Sequence, residues 1–500
     1  MKSAENHRYH NKTKQYNRIG RRRRKTSFAQ GCILTVILYF LLAGLLYFAA
    51  GSQLYERNAR DRILSMPREY ASGELTSGYV LRQTFRCDMD TMESFQIYIA
   101  AFQRENRGHL IIRLYDDTAG QMLYEDSIDM FQTVEGQAVR SAFPKRFENM
   151  RGHRMAIELG SEDGVSGSAA GVWFHSAAQG IQEMQMYING EAVPGVLCFD
   201  TYGTDFVWTG PHYWQIVIPV GMALLAYCLY LIRQYRLGRK NLVVTAVMLL
   251  DKYRFLIRQL TARDFKIKYK RSVLGALWSF VNPLLMMSVQ YFVFSTIFKA
   301  DIENYPVYLL AGIVLFNFFS ESTNISLYAI TGNAGLITKV YVPKYIYPVS
   351  KVVSTGVNLM ISLLPLLFMC LATGVPVTKA WLLIPFDLAC LLVFCIGWGF
   401  ILSAVMVFFR DMQFIWSVFS MVLTYATPIF YPESILPDHL KGVLAANPMY
   451  HMIQFFRKII LEGISPEPRE YLICALFSTA FCAIGTLVFK KSQDRFIFYI

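Results

Sequence analysis

The residues with the clearest physical purpose lie between positions 251 and 272, where eight Lys/Arg side chains stand against only Asp251 and Asp264. Leu256, Leu260 and Ile267 recur at spacings of four and seven, so they share one face of a helix. Arg254, Arg258, Lys266 and Lys270 fall near another face, with Lys268 and Tyr269 beside them. Such a basic amphipathic helix is expected along a membrane surface, with apolar side chains in lipid and cations toward phosphate. Its chemistry is electrostatic attraction rather than bond making. No CxxC pair occurs, and no GxxxxGK[ST] phosphate loop. Gly20-Arg21-Arg22-Arg23-Arg24-Lys25-Thr26 lacks the second glycine of that loop and precedes an apolar run. No catalytic residue and no metal site are expected.

The elements around this stretch are set by composition. The chain has 500 residues, 54% hydrophobic and 17% charged, against a charged share of about a quarter in ordinary globular proteins. The apolar residues collect in runs near the roughly 20 residues that a helix needs to cross a bilayer. Two runs, 31–50 and 213–232, enclose a segment without one. Six more follow at 273–298, 307–328, 352–373, 381–409, 414–430 and 471–489, the fifth of them short. The expected fold is an α-helical polytopic membrane protein of about eight spans with an inserted β-domain. Its parts are a basic tail (1–30), an uncleaved anchor (31–50), an extracytoplasmic domain (51–212), a second span (213–232), a basic linker with the interface helix (233–272) and a six-span unit (273–500).

Lysine and arginine fix the orientation, because they are retained on the cytoplasmic side. Arg18 and Arg21–Lys25 precede the first run; Arg233, Arg236, Arg239 and Lys240 follow the second. Lys339, Lys344 and Lys351, then Arg410, then Lys490, Lys491 and Arg495 mark later loops, whereas Asp301 and Glu303 occupy an intervening one. Both termini are expected in the cytoplasm and residues 51–212 outside. Residues 51–210 carry 14 Lys/Arg and 22 Asp/Glu, a net charge of −8, which leaves +21 for the rest. These cations flank apolar runs, where an anionic leaflet attracts them, so the high pI does not indicate nucleic acid.

Short alternating stretches punctuated by Gly, Asn and Asp fill the acidic segment, the pattern of a β-sandwich. Gln83-Thr84-Phe85 followed by 110–117 resembles jelly-roll domains attached to bacterial surface-glycan machinery. That resemblance implies carbohydrate binding, with Tyr98, Tyr115, Trp173 and Tyr187 as candidates. No calcium-loop spacing or catalytic carboxylate pair stands out there. Cys87 and Cys198 are the only cysteines of this segment and are candidates for one disulfide.

The region 251–500 resembles the membrane subunits of ATP-binding-cassette exporters for polysaccharides, including O-antigen, capsule, teichoic acid and rhamnose-rich glycans. The resemblance is carried in order by Arg263-Asp264, Lys268-Tyr269-Lys270, Ser272, Leu274-Gly275, Trp278 and Pro283. Asn333, Leu336-Ile337, Lys339, Pro343, Pro348 and Arg410-Asp411 continue it. Pro428, Phe430-Tyr431-Pro432, Asn447-Pro448, Arg457 and Gly463 complete it. The first 250 residues depart from that family's six-span pattern.

The resemblance implies a separate cytoplasmic ATPase that holds ATP and Mg, no cofactor on this chain, a second copy of the chain, and a lipid-linked glycan as cargo. It places ATPase coupling at Arg263, Asp264, Asn333, Leu336, Ile337, Lys339 and Pro343. There Asn333 is expected to cap a short helix, and Leu336 and Ile337 to form an apolar knob. A glycan path would use aromatic faces from Trp278, Tyr291, Phe294, Phe298, Phe316, Trp398, Trp416 and Tyr425. An outer gate of short helices is expected around Pro428, Phe430, Tyr431, Pro432, Asn447 and Pro448. Export of small amphiphiles such as antibiotics, with a protein-recruiting ectodomain, is the alternative; a glycan-binding membrane scaffold without transport is another.

Overall fold

The computed structural model describes residues 28–62, 70–175, 184–237, 242–270, 272–296, 304–340, 342–433 and 438–500. The basic tail before Phe28, Arg239, Lys240, Phe298, Asp301 and Glu303 lie outside the described residues. The chain divides into two compact units, Ser52–Pro211 and the remainder.

The first unit is an antiparallel β-sandwich. One sheet runs in the order β1 (Glu56–Arg62), β13 (Phe199–Phe206), β4 (Thr91–Ala100), β9 (Gly171–His175), β12 (Val196–Leu197), with β2 (Tyr70–Ala71) on β9 and β7 (Ala138–Glu148) on β4. The other runs β11 (Glu191–Val193), β10 (Gln185–Ile188), β3 (Val80–Arg86), β8 (Arg154–Gly160), β5 (His109–Asp116), β6 (Gln121–Asp129). Alternation decides which face is buried. On β5, Leu110, Ile112 and Leu114 are fully buried, while Ile111, Arg113 and Tyr115 face the other way. Phe85, Phe95, Ile97, Ile157, Met186 and Phe199 complete the core between the sheets. Cys87 and Cys198, the candidates for a disulfide, are both buried.

The second unit is helical. Seven of its helices among the described residues are long and apolar enough to cross a membrane. They comprise α1 (Phe28–Leu54), α2 (Thr209–Arg236), α4 (Trp278–Thr296), α5 (Tyr305–Leu327), α7 (Ile346–Ala372), α8 (Ile384–Phe408) and α12 (Pro468–Ser492). The remaining run, 414–430, forms only α9 (Met412–Ala426), 15 residues or about 22 Å, short of the roughly 30 Å hydrocarbon layer. Pro428 sets this limit, because a residue before proline avoids helical backbone and Thr427 turns extended at φ −94°, ψ 128°. α5 and α8 occupy the centre, with Leu309, Leu310, Leu315, Phe319, Leu391 and Phe394 in the main core.

Small residues bring the helices together, as expected where lipid removes the hydrophobic incentive to pack. A Cβ on Gly485 would lie 2.2 Å from the Gly397 carbonyl oxygen, so α8 and α12 touch backbone to backbone. Tyrosine hydroxyls join α1 to α2: Tyr39 donates to the Val217 carbonyl at 3.0 Å and Tyr213 to that of Ala43 at 2.6 Å.

Candidate functional site

The polar residues of the helical unit converge where α3 (Leu242–Tyr269) meets α4, α5 and α7. Asn317, Glu321 and Asn324 on α5, and Ser354, Asn358 and Ser362 on α7, repeat at intervals of three and four, so each set lines one helix face. Between them lies a cavity of about 290 Å³, bordered also by Trp278, Ser279, Asn282 and Thr355. Past Lys268, Glu321, Thr355 and Asn358 it continues into an open cleft of about 810 Å³ beside Arg263, Asp264, Asn333 and Lys351.

A chain of hydrogen bonds crosses this groove. Lys268 donates to Glu321 at 2.5 Å, Asn358 to the same carboxylate oxygen at 3.3 Å, and the Tyr269 hydroxyl to Asn358 at 3.0 Å. Tyr269 also meets the Ser279 hydroxyl. Pro283 has no N–H to offer the Ser279 carbonyl one turn earlier. Ser362 fills that place from α7, donating at 3.1 Å. A helix break in a membrane needs such replacement donors. Amides and hydroxyls at this density suit sugar hydroxyls, and Lys268 and Arg263 at the open end suit an anion.

The cleft leads to α6 (Ala334–Ile337), and here two expectations are corrected. Asn333 makes no side-chain cap: its amide donates to the Ala329 carbonyl at 2.8 Å, and its oxygen accepts from Arg263 at 3.4 Å. Ile337 is buried with Leu260, Ile330 and Tyr347, so the exposed tip comprises Thr338, Lys339 and Val340 rather than an Ile337 knob. Asp264 holds Arg263 at 2.9 Å and Lys351 at 2.8 Å, tying α3 to α7. Pro343 is half-buried; beside it Lys344 donates to the Gln493 carbonyl at 2.5 Å, and burial pushes its ammonium below the usual lysine range.

The interface helix is corrected as well. Leu256 and Leu260 turn toward protein, in a cluster with Ile346, Tyr347 and Phe489, because a helix stripe that fits a neighbouring helix need not lie in lipid. Ile267 and Phe255 are exposed, as are Arg254, Arg258, Lys266, Lys268 and Lys270, while Tyr269 is half-buried.

At the other end of α5 a hairpin, 427–433, is pinned from inside. Arg457, at the end of α11 (Pro448–Arg457), is 3% exposed. It donates to the carbonyls of Pro428 at 2.7 Å, Ile429 at 2.8 Å and Tyr308 at 3.2 Å, and its guanidinium lies 3.5 Å from the centre of the Tyr308 ring. Tyr305 donates to the Phe430 carbonyl at 2.6 Å and Tyr308 to that of Tyr431 at 2.9 Å. Asn447 caps α11 through Met449 N–H, with Pro448 at its first position, and its amide donates to the Thr427 hydroxyl. Tyr431 and Pro432 are half-buried.

Residues 256–461, which contain the groove, α6 and the pinned hairpin, match the family model described as ABC-2 type transporter. An O-antigen export system permease protein of Klebsiella pneumoniae is 31% identical over 240 residues, 47% of this chain and 92% of its own length. One from Myxococcus xanthus is 31% identical over 256 residues, 51% of this chain and 98% of its own length. A polysialic acid transport protein of Escherichia coli is 22% identical over 248 residues, 48% of this chain and 95% of its own. The chain belongs to the ABC-2 type transporter family. It is a multi-pass membrane permease with a β-sandwich inserted outside the matched region.

The permease distributes its candidate path aromatics over three places. Trp278 borders the groove alone. Phe316, Trp398 and Trp416 pack in the interior with Phe319 and Phe481, the two tryptophan rings 5.1 Å apart. Tyr291, Phe294 and Tyr425 gather at the hairpin, Phe294 stacked 5.5 Å from Phe430 and Tyr425 6.5 Å from it. The ectodomain candidates are also divided. Tyr98, which donates to Asp200 at 3.1 Å, and Trp173 belong to the seven-stranded sheet. Tyr115, 5.1 Å from the Arg82 guanidinium, and Tyr187 belong to the other.

The Glu321–Asn358–Ser362 wall was absent from the expectations. Its only sequence signal was polar residues at helical spacing inside runs whose average is apolar.

Proposed function

We propose that the permease moves a lipid-linked polysaccharide or teichoic-acid-like polymer across the bacterial cytoplasmic membrane. The observation that carries this reading is the polar groove, which opens beside the basic α3 and continues inward along walls of amide and hydroxyl side chains. The named activities of the relatives support a polysaccharide cargo. In this reading Lys268 and Arg263 meet the phosphate of the lipid carrier, and the amides and Trp278 meet the first sugars. The α3–α6 end faces the cytoplasm and residues 52–211 lie outside. Arg263, Asp264 and the Thr338–Val340 tip dock a separate ATPase, which supplies ATP hydrolysis with Mg. A second copy of the chain completes the path.

The test is ATP hydrolysis by the permease purified with its ATPase in lipid nanodiscs. Addition of lipid-linked glycan should raise the rate, and Lys339→Glu should uncouple hydrolysis from glycan. Stimulation by small amphiphiles instead of glycan would reject this reading.

A further inference from the structure

Charge is sorted along the groove. Arg263, Lys268 and Lys351 border the open cleft against Asp264 and Glu321, which leaves one cation in excess among the described residues. Lys268 and Glu321 stand where the cleft meets the inner cavity, and they cancel each other. Beyond that pair the cavity walls carry no Lys, Arg, His, Asp or Glu among the described residues.

The inner walls offer neutral groups instead. Asn282 lies one turn after Trp278 on α4, and Asn317 one turn before Glu321 on α5, so each amide shares a helix face with another groove residue. Neither makes a side-chain hydrogen bond among the described residues. Asn358 and Ser362, by contrast, are engaged with Glu321, Tyr269 and the Ser279 carbonyl. A side-chain amide carries two N–H donors and an accepting oxygen. Trp278, 45% exposed, adds an aromatic face to the same cavity.

These properties select by charge. A phosphate in the cleft meets the excess cation. A carboxylate carried into the cavity would lose its water without a cation to replace it, and the phosphate behind it would repel it. Hydroxyl and acetamido groups lose little there, because the amides donate and accept in place of water.

We propose that the cavity selects a glycan whose first sugar, next to the carrier phosphate, is uncharged. Asn282 and Asn317 bind the hydroxyls of that sugar, and Trp278 covers one face of its ring. The inference rests on the reading of the groove as the entry for cargo, and adds to it which sugar the entry accepts.

The test uses the full-length permease in nanodiscs and calorimetric titration with three probes. They are farnesyl diphosphate alone, joined to glucose, and joined to glucuronate, the two sugars differing only by a carboxylate. The glucose probe should bind more tightly than the glucuronate probe by about tenfold or more, the worth of leaving one charged group unpaired. Asn282→Ala and Asn317→Ala should each weaken the glucose probe about fivefold, one hydrogen bond, and leave farnesyl diphosphate alone unchanged. Asn317→Lys supplies the missing cation and should shift the preference toward glucuronate. Unchanged thermal unfolding of the variants shows that the groove is intact. Equal affinity for the two sugars, no effect of either alanine change, no shift in Asn317→Lys, or no binding by any probe would overturn the assignment. Glycan-stimulated ATP hydrolysis persisting with equal affinities would remove the selection and leave the export reading standing; selective binding without stimulation by glycan would do the reverse.

Discussion

The β-sandwich and the helical unit treat charge in opposite ways. In the sandwich, arginines meet carboxylates across strands at the wetted face, as Arg113 does with Glu125 and Arg151 with Asp90 and Asp205. Pairs of that kind contribute about 0–1 kcal/mol each. Its stability therefore rests on the apolar layer between the sheets, where the fully buried Gln83 is matched by the Leu197 N–H at 2.9 Å. In the helical unit, a few polar groups join separate helices and determine geometry, from the buried Arg457 to the part-exposed Lys268 and Glu321. Arg457 is held by backbone carbonyls and the Tyr308 ring, and the groove chain runs through four helices. Single polar substitutions should accordingly be tolerated in the sandwich and damaging among the helices.

The largest effect should follow Arg457→Met. It leaves the carbonyls of Tyr308, Pro428 and Ile429 without their donor in a water-poor interior, a loss of about 3–5 kcal/mol by analogy with broken buried ion pairs. The hairpin should loosen, and both the unfolding temperature in detergent and polymer export should fall severely. Arg457→Lys should recover only part, since one ammonium cannot reproduce a fork spanning three acceptors. Wild-type unfolding and export in Arg457→Met would show that the hairpin is held by other contacts and erase the contrast between the two units.

A smaller effect is expected at Glu321. Glu321→Gln removes the charge that faces Lys268 while keeping an oxygen for Asn358, and Glu321→Ala removes both. Lys268 and Glu321 are 39% and 32% exposed, so their pairing should add no more than about 1 kcal/mol to folding. If the groove handles cargo, export should drop several-fold while thermal unfolding scarcely moves, with Asn358→Ala behaving like Glu321→Ala. Export and unfolding declining in parallel would make the network a packing device.

The sandwich was legible because its signal is local: alternation in 109–116 states which residues face the core. The long helices were legible for the same reason, from the length of their apolar runs. The end of α9 was misplaced because hydropathy continued through Ile429 and Phe430 while Pro428 had already broken the backbone. Asn333 looked like a cap from composition, but Arg263 and the Ala329 carbonyl, contacts made by tertiary structure and by the preceding turn, claim its amide. The groove escaped because its members come from helices far apart in sequence; Tyr269 and Asn358 are separated by 89 positions. Arg457 was visible as a motif residue, yet its partners exist only once α11 folds back against α5.

The smallest expected effect tests the wetted half of the contrast. His109, at the start of β5, places Nδ1 2.7 Å from Asp163, whose other oxygen accepts from the His109 backbone N–H at 2.7 Å and from the Ser161 hydroxyl at 3.2 Å. The hydrogen bond from His109 draws the Asp163 carboxyl down to about 2, and the carboxylate in turn raises the imidazole. A raised imidazole contributes stability that is complete below the ordinary histidine value, about 6.5, and fades as pH climbs through the raised one. The depressed carboxyl contributes above the ordinary aspartate value, about 3.9, and fades as pH falls through about 2. Both contributions are present in mildly acidic solution. Raising pH through neutrality should therefore lower the sandwich's unfolding temperature by a small step, and His109→Gln should abolish it. The same step in His109→Gln would assign it to another histidine, and a large step would show that a solvent-facing pair can matter here as much as the buried contacts of the helices.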